Sequence, residues 1–384
     1  MNKAIIHIRE NNDCDHFAPI IFRLLESEWQ VVIIPMYGFN YKNDHRINFL
    51  LENFHSLKIY NLSKIYSFKS TFLYKVLIRF NYKNTFIKAI FKIINFPFKV
   101  FEKDLFHDNP SLIWDWGNPG RINHFEALLY ERPTIAFPHG IDIFLNRYKE
   151  KIDLSNRSIY DFYFLNSDFH IDVATSLLNI NSHKLFKIGS PRFSKNWISK
   201  LIEFQNSFNF GKKDSKKILY FLPHADHAPN FQEIEDLIFQ LSNIDNISLV
   251  LKMSTRQKNI FIPSSSRLSK NTDKVYFDFD TPSTSLIAWS DIVINHGSSI
   301  VFDALQLSKV VIHASFLDNL KTIFDESDCI YHAYNFDDIF KIIESSDAYP
   351  VKNSSQFLHK FVNCDNDNEP IDEVYNFLLS LQDK

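Results

Sequence analysis

Glycine is scarce in this chain, with seven among 384 residues. Phosphate loops that need several glycines are missing: neither G-x-x-x-x-G-K-[ST] nor G-x-G-x-x-G occurs, and G-x-S-x-G and H-E-x-x-H are absent too. ATP-driven phosphoryl transfer, nicotinamide chemistry and serine hydrolysis therefore lose support. Cysteine appears three times, at Cys14, Cys329 and Cys364. An odd number at wide spacing argues against a disulfide framework or a zinc site and fits a reducing compartment. No run of about 18 uncharged apolar residues is present, so no transmembrane helix is expected. The opening MNKAIIHIRENND meets charge after eight residues and has no signal-peptide core. A cytoplasmic protein is expected. Neither charge sign dominates, and the net value of -3 gives no reason to expect nucleic acid as a partner.

Apolar residues make up 45% of the chain, enough for two cores, and the length suits two α/β domains better than one. Short apolar runs alternate with polar loops and helical patterns. AIIHI (4–8), VVIIPM (31–36), SLIWDW (111–116), PTIAFP (133–138), DFYFLN and LFKIGS read as strands. PIIFRLLES, NHFEALLYE and VATSLLN read as the helices between them. After a polar, Lys-rich break the rhythm restarts with KILYFLP (217–223), ISLVLKM (247–253), KVYFDF, DIVINHG (291–297) and VVIHAS (310–315). The helices of that half are FQEIEDLIFQLSN, TSLIAWS and SSIVFDALQLS. This alternation predicts an α/β chain of two Rossmann-like, doubly wound domains facing a central cleft. The expected boundaries are 1–200 for the first domain, 201–216 for a linker, 217–368 for the second domain, and 369–384 for a C-terminal amphipathic helix. Residues 58–101 carry nine Lys or Arg and no Asp or Glu, interleaved with apolar residues. They read either as solvated surface helices or as a dock for an anionic membrane surface, which would make the protein peripheral at the inner face of the membrane.

The strongest chemical signal is INHGSSIVFDAL. A strand, a tight turn and a helix follow without spare residues. Gly297 lets a ligand approach the backbone, Ser298 or Ser299 is placed to cap the helix, and the free amides there suit a phosphate. Asp303 lies four residues past Ser299 on the same helix face, in reach of a ribose hydroxyl, and His296 offers a further hydrogen bond. Lys252 and Arg256 stand at or after a strand's carboxyl end, where cations offset the charge of a diphosphate leaving group. His224 follows the first strand of the second half, in PHADHAP; with Asp226 and His227 it makes a short loop better suited to phosphate or base contacts than to a metal. No metal and no cofactor are expected. In the first half, Asp115 ends a strand, His139 and Asp142 follow the next, and Asp15 and His16 precede the first helix on the acceptor side. A sugar hydroxyl is a poor nucleophile and inverting transfer wants a general base, for which His139, Asp115, Asp142 and Asp15 are the candidates.

Taken in order, DHFAPIIFRLLESEWQVVII, LIWDWGNPGRINHFEALLYERPTIAFPHG, LFKIGSPR, LVLKMSTRQ and INHGSSIVFDALQLSKVVI resemble successive segments of the GT-B superfamily. The chain is similar to bacterial CDP-glycerol or CMP-sugar transferases of surface polymers and, more distantly, to UDP-N-acetylglucosamine 2-epimerases. The resemblance implies a base at His139 of the His139-Gly140 pair, donor phosphate on Ser298 and Ser299, and nucleotide ribose facing Asp303. The sequence departs from the transferase pattern where Lys252-Met253-Ser254-Thr255 lacks a His-Pro. It departs from the epimerase pattern where Ile141-Asp142 replaces a Glu. The expected function is a glycosyltransferase or glycerophosphotransferase acting in surface polysaccharide synthesis. Its partners would be a CMP-, CDP- or UDP-linked donor and a glycan or lipid-linked acceptor. A UDP-sugar 2-epimerase and an inactive scaffold of the assembly complex are the alternatives.

Overall fold

The structure, a computed structural model, describes residues 2–8, 11–35, 39–60, 111–115, 133–137, 140–141, 143–145, 161–176, 179–205, 207–223, 230–253, 274–317, 321–345, 348–363 and 368–381. The chain divides into two compact units. One holds Met1–Ile141, Glu150–Ser194 and Phe361–Lys384; the other holds Asp142–Lys149 and Lys195–Lys360.

The first unit carries a seven-stranded sheet in the order β3-β2-β1-β4-β5-β6-β7. Its strands are β1 (Lys3–Ile8), β2 (Gln30–Pro35), β3 (Leu57–Ile59), β4 (Ser111–Asp115), β5 (Thr134–Phe137), β6 (Phe162–Leu165) and β7 (Leu185–Lys187). Every pairing is parallel. A parallel sheet covered on both faces needs near-continuous apolar strands, and Ile5, Ile6, Val31, Val32 and Ile33 are accordingly buried. Edge-on aromatic contacts tie helix to sheet: Phe17 meets Phe137 at 5.3 Å between ring centres, and Phe137 meets Phe164 at 4.9 Å.

The first helix spans Asn11–Glu26, beginning eight residues before the Pro19 at which the sequence pattern started it. The acidic cluster of Asp13 and Asp15 therefore lies inside the opening turns, where negative charge suits the helix start. Pro19 sits within this helix at the cost of one backbone donor.

The second unit repeats the plan with six parallel strands in the order β10-β9-β8-β11-β12-β13. These are β8 (Lys216–Phe221), β9 (Ile247–Lys252), β10 (Val275–Asp278), β11 (Ile292–Asn295), β12 (Val310–Ala314) and β13 (Tyr331–Ala333). One face packs against Ile234, Leu237, Ile238 and Leu241 of the helix Phe231–Ser242 and Ile339, Ile342 and Ile343 of the helix Phe336–Glu344.

The stretch 201–216, expected as a linker, lies within the second unit. Residues 201–204 complete the helix Lys195–Phe204. Phe208 and Phe210 then pack on Trp289 at 5.4 and 6.4 Å, and the Trp289 indole donates to the Phe210 carbonyl at 3.2 Å. The polar composition of the stretch hides two aromatic anchors. The C-terminal helix, Pro370–Ser380, belongs to the first unit. Its Asp372 pairs with Arg23 at 2.6 Å, and Phe377 joins Phe162, Phe164 and Phe186. Gly189, of the LFKIGSPR segment, has φ +71, and a Cβ there would stand 2.6 Å from the Val362 carbonyl, so only glycine fits. The basic stretch 58–101 falls almost wholly outside the described residues. No helix among the described residues is long and apolar enough to cross a membrane.

Candidate functional site

In each sheet the strand order reverses between two central neighbours, β1 and β4 in the first unit and β8 and β11 in the second. Connections on either side of such a point leave in opposite directions and open a crevice at the strands' carboxyl ends, where ligands of doubly wound sheets bind. INHGSS leaves β11 at that place. Gly297 takes φ +77, the left-handed turn for which its lack of a side chain suits it. Ser298 and Ser299 are half-buried, and the helix Ile300–Gln306 follows at once. Among the described residues, no hydrogen bond is made by the backbone N–H of Gly297, Ser298 or Ser299. Successive amides left unbonded at a turn of this kind are an arrangement that suits an anion.

The serines do less capping than the sequence suggested. Ser299 occupies the cap position without a side-chain bond to the helix, and the Ser298 hydroxyl accepts weakly from the Ile300 amide at 3.4 Å. The helix has only seven residues, so the local amides matter more here than any long-range dipole. His296 is buried beside Tyr220, with ring centres 6.0 Å apart. Asp303 is buried too, deeper than a surface ribose contact requires.

Lys252 differs from its expected role. It ends β9 as read, but its ammonium is 2.9 Å from Asp278 of β10 and 2.7 Å from the Thr281 carbonyl. Both side chains of the pair are 3% exposed. The cation is held inside the unit, bracing the β9 and β10 ends, instead of standing free for a leaving group. Its candidate companions His224 and Arg256 lie outside the described residues, as do Asp226 and His227.

In the first unit, Asp115 is the last residue of β4, at the reversal point, with Phe137 as its backbone partner on β5. His139 and Asp142 fall outside the described residues. Gly140 is held by a 3.4 Å bond from the Asn166 amide to its carbonyl. Asp15 is engaged: it accepts from Arg46, and Arg192 stands 3.9 Å away. Arg46 also grips Asp44 at 2.6 Å and the Asn11 carbonyl at 3.0 Å. Burial raises the Asp44 carboxyl to about 6 and lowers Arg46 to about 10. His16 is buried in the helix interior, 4% exposed. Asp15 thus belongs to a packed charge network at the start of the first helix, and His16 is buried beside it in sequence. Cys14 and Cys329 are buried free thiols, and among the described residues no three His, Cys, Asp or Glu side chains gather as a metal site would need.

Sequence reasoning passed over two polar residues beside the turn. Asn295 ends β11 and His313 lies on β12 directly opposite it. Both are buried, at 1% and 2% exposure. The His313 Nε2 faces Asp325 at 3.4 Å. Asp325 in turn accepts from the Thr322 amide at 2.6 Å and its hydroxyl at 2.8 Å. Burial pushes the Asp325 carboxyl up, but the bonds from His313 and Thr322 outweigh it and hold the group at about 2. The same Thr322 pairs with Phe144 in an antiparallel bridge that fastens residues 143–145 to this unit. The only signal in the sequence was a histidine within an apolar strand, VVIHAS, which reads more simply as core.

No protein-family model matches the sequence, and no curated protein matches it. Solved structures do. The UDP-GlcNAc 2-epimerase of Neisseria meningitidis bound to UDP-GlcNAc is 14% identical, with 99% of each chain covered and a TM-score of 0.57. The wall teichoic acid polymerase TagF is 10% identical over 100% of this chain and 89% of the other, with a TM-score of 0.56. Anabaena Alr3699/HepE, in complex with UDP and glucose, is 11% identical over 100% of both chains, with a TM-score of 0.53. At these identities the likeness is one of fold. With two parallel, doubly wound sheets in one chain and full-length matches of this kind, the protein has the GT-B fold.

Proposed function

We propose that this chain is a glycosyltransferase, or a related glycerophosphotransferase, that takes its donor as a nucleotide-activated group and transfers it to a glycan or lipid-linked acceptor of a surface polysaccharide. The observation that carries the reading is the turn after β11: three unbonded amides at Gly297, Ser298 and Ser299, at the reversal point of the second sheet. That arrangement suits a donor phosphate, and structural neighbours hold UDP or UDP-GlcNAc. Arg256 and His224, each after a strand of the same unit in the sequence, are the further candidate donor contacts. Lys252 drops out of the donor set, since Asp278 and Thr281 engage its ammonium. His139, Asp115 and Asp142 are the candidate general bases, of which His139 is preferred because the following Gly140 leaves its turn open.

The epimerase reading has its own support, because the Neisseria neighbour is an epimerase matched along its whole length. One experiment separates the two. The protein is titrated with UDP, CMP, CDP and GDP to find the nucleotide it binds, then incubated with the corresponding sugar donors with and without a glycan acceptor. Transfer that requires the acceptor supports the transferase, and a 2-epimeric product formed without acceptor supports the epimerase. If no nucleotide binds, both readings fail.

A further inference from the structure

We propose that Asn295 and His313 form a recognition site for a hydroxyl group of the nucleotide-linked donor, lying beneath the Gly297–Ser299 turn. The inference rests on the nucleotide-donor reading above and adds the part of the donor that is recognised. Asn295 and His313 are partners across neighbouring parallel strands, so their side chains leave the same face of the sheet. The Nδ2 and Oδ1 of Asn295 and the Nδ1 of His313 are all buried and have no hydrogen-bond partner among the described residues. Polar groups sealed in this way are costly, and native proteins rarely keep several together without a use for them.

The unmet groups define the ligand chemistry. The Asp325 carboxylate faces the Nε2 of His313, which leaves the Nδ1 edge of the ring toward the site. The Asn295 amide beside it offers a donor at Nδ2 and an acceptor at Oδ1. A hydroxyl meets both, accepting from Nδ2 while donating to Oδ1. A phosphate or carboxylate brings no proton to Oδ1, and an ammonium leaves the Nδ2 donor unmet. Phe324 lies 6.3 Å from the His313 ring and 5.4 Å from Phe302, giving the site one apolar side, while His332 stands 6.0 Å from the same ring. For a donor to reach these atoms, the turn at Gly297, close to Asn295 in sequence, has to move when the donor binds.

The hydroxyl belongs either to the ribose or to the transferred sugar, and calorimetric titration separates them. Wild type and Asn295→Leu are titrated with UDP, 2′- and 3′-deoxy-UDP, and UDP-GlcNAc, and melted without ligand. The variant is expected to bind the ligand carrying the recognised hydroxyl roughly 3- to 10-fold more weakly, as the loss of one hydrogen bond implies. Its own melting temperature should hold or rise, because two unmet groups are gone. A ribose hydroxyl is indicated if UDP weakens while one of the deoxy nucleotides binds both proteins alike. A sugar hydroxyl is indicated if UDP is unaffected and UDP-GlcNAc weakens. Asn295→Ser, too short to reach, serves if the leucine variant does not fold, with the same expected loss. Equal binding of every ligand by wild type and variant overturns this inference alone, showing that the two side chains satisfy each other. Failure of the wild type to bind any of UDP, CMP, CDP and GDP overturns it together with the donor reading.

Discussion

Replacing Lys252 with Met keeps the stem's volume but removes the ammonium from a pair whose members are each 3% exposed. Among the described residues Asp278 would be left with the Thr281 amide, at 3.1 Å to one oxygen and 3.4 Å to the other. Stranding one charge of a buried pair costs about 3–5 kcal/mol, because the desolvation of the other is no longer offset. At about 2–4 °C per kcal/mol for a unit of this size, the melting transition of Lys252→Met should fall by roughly 6–20 °C. Lys252→Met with Asp278→Leu should recover most of that loss, since two apolar groups replace two ions. Nucleotide affinity, measured by titration well below the transition, should stay within about twofold of wild type, because the ammonium faces Asp278 and Thr281. The assay is differential scanning calorimetry on the two variants and the wild type, paired with that titration. If Lys252→Met melts within a degree or two of wild type while nucleotide affinity drops tenfold, the ammonium serves the ligand and the bracing role assigned to it is wrong.

Gly297→Ala puts a Cβ on a residue at φ +77 and should cost about 1–2 kcal/mol in thermal unfolding while weakening nucleotide binding, because the turn that gathers the three amides must shift. Unchanged stability and affinity would mean the turn tolerates a side chain and the amides are not a fitted set. Asp325 has its folded pKa depressed to about 2, so its stabilising contribution is present above the unfolded value near 4 and fades as pH falls from about 4 to 2. Acid titration followed by circular dichroism should show Asp325→Asn losing that part of the slope, and identical curves would refute the His313–Asp325–Thr322 coupling. His139→Ala should leave nucleotide affinity intact and cut turnover roughly 10²–10⁴-fold; full activity would move the base to Asp115.

The doubly wound plan was legible because buried parallel strands leave an unambiguous mark: AIIHI, VVIIPM, KILYFLP, ISLVLKM and DIVINHG each fall within a residue or two of an observed strand. The turn at Gly297 was legible for a related reason, since a lone glycine in a glycine-poor chain stands out at a strand end. What the sequence hid was long-range pairing. The three-residue strands β3 and β13 are too short to show a period, and each gains its place from a neighbour already in the sheet. Phe208 and Phe210 looked like stray aromatics in a Lys-rich stretch because Trp289, which they cover, lies some eighty residues on. Asp15 looked free for an acceptor because its partner Arg46 sits in a different helix.

Lys252, Asn295 and His313 are polar residues at or near the carboxyl ends of β9, β11 and β12, and all are buried. Position and burial are therefore nearly the same for the three, and neither separates structure from function. Hydrogen bonding does. The Lys252 ammonium is matched by a carboxylate and a carbonyl, an arrangement whose purpose is met within the fold. The Asn295 amide has neither of its polar atoms matched, and His313 has one nitrogen matched and one not. Lysine at a strand end advertises charge and draws a functional reading from sequence, whereas asparagine and histidine in apolar strands do not. The structure reverses that order: the conspicuous cation is satisfied, and the inconspicuous pair keeps buried polar atoms with no partner among the described residues.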